Sequence, residues 1–228
     1  MSPPAPGRAW LPLLVVIAVA AALGLWASQR FLARPAAPAL PAVKAVTLMP
    51  TPRPLPPFTL QQAGGKPLRA DDLRGHWTLV FIGFTHCPDV CPTTLAQLAG
   101  AQKQWAALPP AQRPRLLFVS VDPERDSPEL VAQYAHAFHP DTLAATAPLP
   151  QVEAFARALS LVFMKVPGKS GQADDYTLDH SAALVLLDPQ VRMAGVVQPP
   201  FDVRAIAEDL ARLTAAAAPA PAAAPGAR

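Results

Sequence analysis

The stretch from Trp77 to Thr94 reads WTLVFIGFTHCPDVCPTT, and it decides the fold. Its first eight residues, Trp77 to Phe84, form a continuous apolar run of strand length, the pattern of a central strand covered on both faces. Two cysteines with three residues between them follow, and then a helical pattern from Pro92 to Leu108. The thiols of Cys87 and Cys91 therefore belong to the carboxyl end of a strand and the first turn of a helix, the usual ligand face of an open α/β sheet. Amide donors and the helix dipole at such a point favour thiolate over thiol. A separation of four brings both sulfurs to one side of a helical turn, near enough to share a metal or to close a disulfide.

Moving outward, Arg115 to Val121 (RLLFVSV) and Ala182 to Leu187 (AALVLL) repeat the buried-strand pattern. Helical periodicity occupies Ser127 to Phe138 and Gln151 to Leu159, with Asp126 and Glu129 as a capping pair and Pro128 in the first turn. Val191 to Val197, after the Asp188-Pro189 turn, makes a hairpin with the preceding strand, and Asp202 to Leu213 is a closing helix. Ahead of the first buried strand, Phe58-Thr59-Leu60 and Lys66-Pro67-Leu68 bracket Gly64-Gly65 as a small hairpin. A βαβ unit, a later ββα unit and an amino-terminal hairpin extension describe an α/β domain over residues 57–213.

The flanks have a different character. Of 228 residues, 30 are proline and 51% are hydrophobic, an excess concentrated outside that domain. Residues 1–8 are a short tail, and Ala9 to Ala27 are 19 uncharged, mostly apolar residues. At ~1.5 Å per residue these nearly span a ~30 Å hydrocarbon core. The segment is a membrane span or a signal peptide; Leu25-Trp26-Ala27 is a poor small-residue cleavage site, while Trp10 and Trp26 sit where interfacial tryptophans anchor a span, so 9–27 reads first as one transmembrane helix, with a cleaved signal as the alternative. Residues 28–56 read as a Pro/Ala-rich linker, extended and not expected to fold alone, and 214–228 as a disordered Ala/Pro tail. A net charge of +3 without a dense basic block leaves no electrostatic footprint for nucleic acid. Two cysteines exclude a disulfide-stapled scaffold and a closed four-cysteine zinc module.

Two sulfurs are an incomplete metal site, and the five histidines are the next donors to weigh. His180 lies in a loop, Asp175 to Ser181, directly ahead of the strand Ala182 to Leu187; in a thioredoxin-like sheet this loop faces the cysteine turn. His136 and His139, spaced i,i+3 on a polar helix end, read as surface or capping residues, and His76 as a solvated turn residue. His86 adjoins Cys87, but strand parity turns it away. Asp122 ends a strand near the cysteine loop, either to support that loop or a docking surface, or as an ordinary Asp-Pro turn residue.

Three runs in matching order, Phe84-Thr-His-Cys-Pro-Asp-Val-Cys-Pro92, Val121-Asp-Pro-Glu-Arg-Asp-Ser-Pro128 and Tyr176-Thr-Leu-Asp-His-Ser181, resemble the Sco/SenC family of membrane-anchored copper proteins. The resemblance covers about Pro57 to Leu213. It implies a thioredoxin-like fold and copper held by the two motif cysteines and the later histidine, here Cys87, Cys91 and His180. It also implies a part in supplying copper to the binuclear copper A centre of cytochrome c oxidase, with thiol:disulfide reduction or redox sensing in some members. Leu143-Ala144-Ala145-Thr146-Ala147 departs from the Gly-Leu-Thr-Gly-like stretch common in the family, which affects that loop and not the metal site.

Ligand chemistry agrees independently: two thiolates and one imidazole are a soft, low-coordinate set suited to Cu(I), whereas Cu(II) wants a further donor such as water, His86 or Asp89. Zinc is the second choice, since a structural zinc closes with four ligands. Three function classes follow. A copper chaperone comes first, delivering to cytochrome c oxidase subunit II or another exported copper protein and served by periplasmic copper donors or thiol reductants. A thioredoxin-type oxidoreductase or redox sensor comes second, although the usual spacing there is Cys-x-x-Cys. A peroxidase on the same fold comes last, because Phe84 stands where Thr or Ser is needed. No catalytic residue is assigned beyond the redox-active pair Cys87 and Cys91. The expected location is the bacterial inner membrane, crossed once, with the domain in the periplasm, since no Arg/Ser-rich transit peptide precedes the apolar segment.

Overall fold

The computed structural model describes residues 10–28, 41–170, 172 and 174–217, and the chain divides between Leu40 and Pro41 into two units. The first holds helix α1 (Trp10–Ala27), 18 residues without a charge. Its apolar side chains from Leu13 to Trp26 stand exposed around the helix, so it has no polar face to give to water. Those 18 residues reach about 27 Å, and among the described residues no helix is long and apolar enough to cross a membrane. The anchor expected over 9–27 is thus a helix that stops short of a ~30 Å hydrocarbon core. Residues 1–9, residues 29–40 of the expected linker and residues 218–228 of the expected tail lie outside the described residues, while residues 214–217 of that tail are not disordered but continue the closing helix, where Thr214 is buried.

The second unit is built on a six-stranded sheet. Its spatial order is β1 (Thr47–Pro54), β10 (Arg192–Val197), β9 (Leu184–Leu187), β4 (Thr78–Gly83), β5 (Arg115–Ser120) and β6 (Leu143–Ala145). The apolar run that opens the reading of the sequence becomes β4, buried at all six positions. It pairs in parallel with β5 and antiparallel with β9, and β9 in turn makes the expected hairpin with β10. Helix α3 (Val90–Trp105) leaves the sheet end where β4 stops and packs on the closing helix α6 (Val203–Ala217). The indole Nε1 of Trp105 donates to the Ala207 carbonyl at 3.2 Å across that contact. Helix α4 (Pro128–His136) covers β5 and β6. The front hairpin forms as β2 (Thr59–Gln61) and β3 (Pro67–Arg69), leading into the short α2 (Ala70–Leu73), and α5 (Leu149–Ala158) packs against β2. This is the mixed α/β architecture with a central sheet expected from the sequence.

Four local expectations are corrected. The linker read over 28–56 contains β1, which pairs antiparallel with β10, so the ordered domain begins before Pro57. Pro50, Pro52 and Pro54 keep that segment extended, and an edge strand tolerates residues without an N–H. The close approach also depends on the partner strand: a Cβ on Gly195 would sit 2.8 Å from the Thr47 carbonyl oxygen. The capping pair is different too. Ser127 caps α4 by accepting from the Leu130 N–H at 3.2 Å, Glu129 accepts from the Gly64 N–H, and Asp126 turns inward. The Leu143 to Ala147 stretch supplies β6, paired in parallel with β5. Lastly, the loop expected at 175–181 is mostly strand. Tyr176–His180 form β8, paired antiparallel with β7 (Phe163–Pro167) in a separate two-stranded sheet, with His180 opposite Phe163. Tyr176, Leu178 and His180 alternate with the exposed Thr177 and Asp179, the two-residue period of a half-buried strand.

The segment before β1 is held by a buried charge. Asp209 of α6 has no exposed surface, and its Oδ2 accepts the backbone N–H groups of Lys44 and Ala45 at 2.7 Å and Val46 at 3.2 Å. Replacing Asp209 by alanine strands three amides and should cost about 3 kcal/mol. Urea unfolding of Asp209→Ala and Asp209→Asn checks this: the alanine variant should lose the larger amount, and equal stabilities would remove the carboxylate from this role.

Candidate metal centre

Cys87 and Cys91 arrive at one place because β4 ends at Gly83 and α3 begins at Val90, leaving a tight turn between them. Asp89, at the helix N-cap, gives no side-chain cap. The Cys87 sulfur takes that role by accepting from the Cys91 N–H at 3.4 Å. Cys91 is buried and Cys87 is half-buried, and both are free cysteines. Room for the Cys91 sulfur comes from β4 itself. A Cβ on Gly83 would lie 2.6 Å from Cys91 Sγ and 3.0 Å from the Phe118 ring, so a side chain at that position and the sulfur compete for one volume.

His180, 89 residues further along, closes the site from the end of β8, with Nε2 at 3.4 Å from Cys91 Sγ. Its imidazole lies edge-on to the rings of Phe81 and Phe84, with centroids 6.0 and 6.1 Å away. The Nδ1 atom is 3.1 Å from the Ser181 carbonyl. A carbonyl only accepts, so the proton is assigned to Nδ1 and the Nε2 lone pair faces the sulfurs. Burial lowers the His180 pKa, opposed by that carbonyl and by Asp179, which favours the neutral, ligating form.

Cys91 does not behave as expected from its place at a helix start. Burial first, then the neighbouring Cys87 sulfur and the Asp126 carboxylate, push the Cys91 thiol far above its ordinary range, with the Phe84 backbone pulling the other way. Desolvation outweighs the helix dipole at this atom. Burial therefore favours the neutral Cys91 thiol in the metal-free site, and a metal held by that sulfur would have to displace its proton.

One donor atom from each of Cys87, Cys91 and His180 lies within 4.8 Å of the others. With bonds of ~2.3 Å to sulfur and ~2.0 Å to nitrogen, as for zinc, a three-coordinate ion holds its donors about 4 Å apart, so small side-chain movements close the set. His86 and Asp89 stand outside it. His86 Nδ1 is 3.0 Å from Thr85 Oγ1 and 3.6 Å from Asp126 Oδ1, and Asp89 accepts from Thr93 Oγ1. The remaining histidines bond backbone: His76 to the Arg113 carbonyl, His136 to the Thr142 carbonyl and His139 to the Asp141 N–H.

Two carboxylates support the site, of which Asp126 was not read as a support from the sequence and Asp122 was read as supporting the cysteine loop. Asp126 is buried and accepts from the Thr85 N–H, the Thr85 hydroxyl and the Ser120 hydroxyl, which ties the start of the cysteine turn to β5. Asp122 supports the histidine side: its Oδ1 accepts from the Tyr176 hydroxyl at 2.7 Å and its Oδ2 from Arg125 Nε at 2.6 Å. An acidic residue four places beyond another in a turn was the available signal, since buried carboxylates there need donors.

The chain is similar to known proteins. Residues 49–215 match the SCO1/SenC family model. The mitochondrial protein SCO2 homolog of Bos taurus is 39% identical over 135 residues, 58% of this chain and 49% of that protein, so the match spans about half its length. A putative copper-binding protein of Stutzerimonas stutzeri is 30% identical over 158 residues, 68% of this chain and 74% of that protein. Among solved structures, Arabidopsis thaliana ScoI with copper bound superposes with a TM-score of 0.64 at 30% identity, covering 71% of this chain and 98% of that one. With the family model matched from β1 into α6, the chain belongs to the SCO1/SenC family.

Proposed function

We propose that this protein is a copper metallochaperone that binds one Cu(I) through Cys87, Cys91 and His180. The observation that carries the reading is the convergence of two sulfurs and one imidazole nitrogen within 4.8 Å, with no carboxylate in the set. That donor set matches the preference of Cu(I) for soft ligands in low coordination, and it lacks the fourth ligand of a structural zinc site. The half-buried Cys87 sulfur gives an incoming partner a place to begin ligand exchange. The copper named for the Stutzerimonas relative and the Arabidopsis structure supports the choice of metal. The recipient in this reading is the copper A site of cytochrome c oxidase subunit II or another exported copper protein, as the family resemblance implies.

The same sulfurs support a second activity. The Cys91 N–H already bonds Cys87 Sγ, so the two thiols are neighbours before any reaction. Oxidation to a disulfide forms one S–S bond, releases two protons and passes two electrons to an acceptor disulfide, which is reduced to two thiols. It also removes both sulfur ligands, so thiol reduction and copper loading exclude each other at this site.

Titration of the reduced full-length chain in detergent with Cu(I), against a chromophoric chelator, tests the site. One copper per chain is expected in the wild type and none in Cys87→Ser or Cys91→Ser. His180→Ala should weaken binding by more than the roughly 10–100-fold typical of losing an outer-shell partner. Copper-loaded protein should resist alkylation of both cysteines, and unchanged stoichiometry in the cysteine variants would refute the site. Gly83→Ala should also weaken binding and cost about 1–3 kcal/mol of stability, because the added methyl displaces the Cys91 sulfur; wild-type values for both, by the same titration and by thermal unfolding, would show that the sulfur relocates freely.

We place the domain on the outer face of a bacterial inner membrane, held through the uncharged segment 9–27, one residue longer than α1. Full-length chain should stay with membranes through alkaline carbonate extraction. A soluble product beginning near Ser28 would instead mark that segment as a cleaved signal.

A further inference from the structure

We propose that Arg125 is a positioning residue for the metal centre: it touches no ligand, but it clamps the β7–β8 hairpin so that His180 reaches the cysteines. The inference rests on the copper-binding reading of Cys87, Cys91 and His180, and it adds a control on the histidine.

The need for a clamp follows from the topology. The hairpin β7–β8 forms a sheet of its own, with no ladder to the six-stranded sheet, and an isolated two-stranded hairpin is marginal in water. Its placement therefore depends on side-chain contacts. At the ligand end, the Ser181 N–H donates to the Val162 carbonyl and the Val162 N–H to Ser181 Oγ, bonds that close the hairpin on itself without tying it to the cysteine side.

Arg125 supplies the missing tie at the other end of β8. Its Nε donates to Asp122 Oδ2 at 2.6 Å and its Nη1 to the Tyr176 carbonyl at 3.0 Å, while the guanidinium carbon stands 3.6 Å from the centroid of the Tyr176 ring. The Tyr176 hydroxyl returns to Asp122 Oδ1, so cation, carboxylate and phenol form a closed ring of contacts. Lys165 of β7, paired with Glu124 at 2.7 Å, lies 3.7 Å from the centroid of the same ring. The guanidinium also approaches the Phe84 ring at 5.8 Å, and Phe84 in turn packs on the His180 imidazole.

Tyr176, Leu178 and His180 share one face of β8, and the buried Leu178 locks the strand between clamp and ligand. At ~3.3 Å per residue, Tyr176 stands about 13 Å along the strand from His180. The same turn, Asp122 to Asp126, is closed by the Asp126 N–H bonding the Asp122 carbonyl at 2.9 Å. From its two ends it holds both halves of the site, the cysteine turn through Asp126 and Thr85 and the histidine strand through Arg125 and Tyr176. A planar fork is needed to stack and to donate in two directions at once, which lysine cannot do.

The test is Cu(I) affinity of the full-length chain in detergent for wild type, Arg125→Met and Arg125→Lys, each repeated in the His180→Ala background. Expected are a fall of about tenfold or more for Arg125→Met, a smaller fall for Arg125→Lys and no further fall once His180 is absent. Copper-edge X-ray absorption of Arg125→Met should show two sulfurs retained and the nitrogen neighbour lost. In the metal-free protein the His180 ring resonances of both variants should move toward those of an exposed histidine, while those of His76 stay. Wild-type affinity in both variants, or an equal fall without His180, would overturn the proposal, as would unmoved His180 resonances. Should Arg125→Met fail to fold, the Arg125→Lys pair decides by the same criteria. A wild-type chain that binds no Cu(I) overturns the copper reading instead, and the metal-free resonances still decide whether Arg125 places the imidazole.

Discussion

A single buried carboxylate, Asp126, fixes where the cysteine turn begins. Removing an ionised group from water is costly unless donors replace its hydration, and the protein supplies the Thr85 N–H and two hydroxyls, Thr85 on the cysteine turn and Ser120 on β5. Because those donors come from two elements, satisfying the charge also fixes the distance between them. Everything at the site is downstream of that bond set: the exit of the chain from β4, the start of α3 and the depth at which the Cys91 sulfur is buried.

The buried charge also affects the chemistry. Its proximity adds to the desolvation of Cys91 and favours the neutral thiol, while burial keeps His180 neutral. The metal-free site thus favours a neutral Cys91 thiol beside a neutral imidazole that lies edge-on to the Phe81 and Phe84 rings. Such a pocket discourages adventitious attack by the inner sulfur and leaves Cys87 as the exposed partner. It also accounts for the raised Cys91 thiol at a helix start, which a dipole argument from position alone does not give.

What the sequence made legible were features with strong local periodicity. The unbroken apolar run became β4, the Ala182 to Leu187 pattern became β9, and Cys87, Cys91 and His180 have donor atoms within 4.8 Å of one another. Elements whose conformation depends on distant partners were harder to see. The prolines around Pro52 correctly signal extension, but nothing local indicates that β10 offers an edge to pair with. The strand character of Tyr176 to His180 is visible as alternation, yet five residues followed by Ser181 also suit a loop, and pairing with Phe163 decides between them. Gly83 illustrates the limit well: as a glycine in a strand it signals weakness, and only the position of the Cys91 sulfur shows that it makes room.

The proline-bearing strand β1 has one further consequence. It forms one margin of the six-stranded sheet, and a sheet margin ordinarily offers a row of backbone partners to any extended chain that meets it. Here Pro50, Pro52 and Pro54 have no N–H to offer, so an approaching strand finds a template with gaps at every second residue. The opposite margin, β6, is only three residues long. Strand addition is therefore disfavoured at both margins of the six-stranded sheet, which leaves this part of the domain a poor template for edge-to-edge growth.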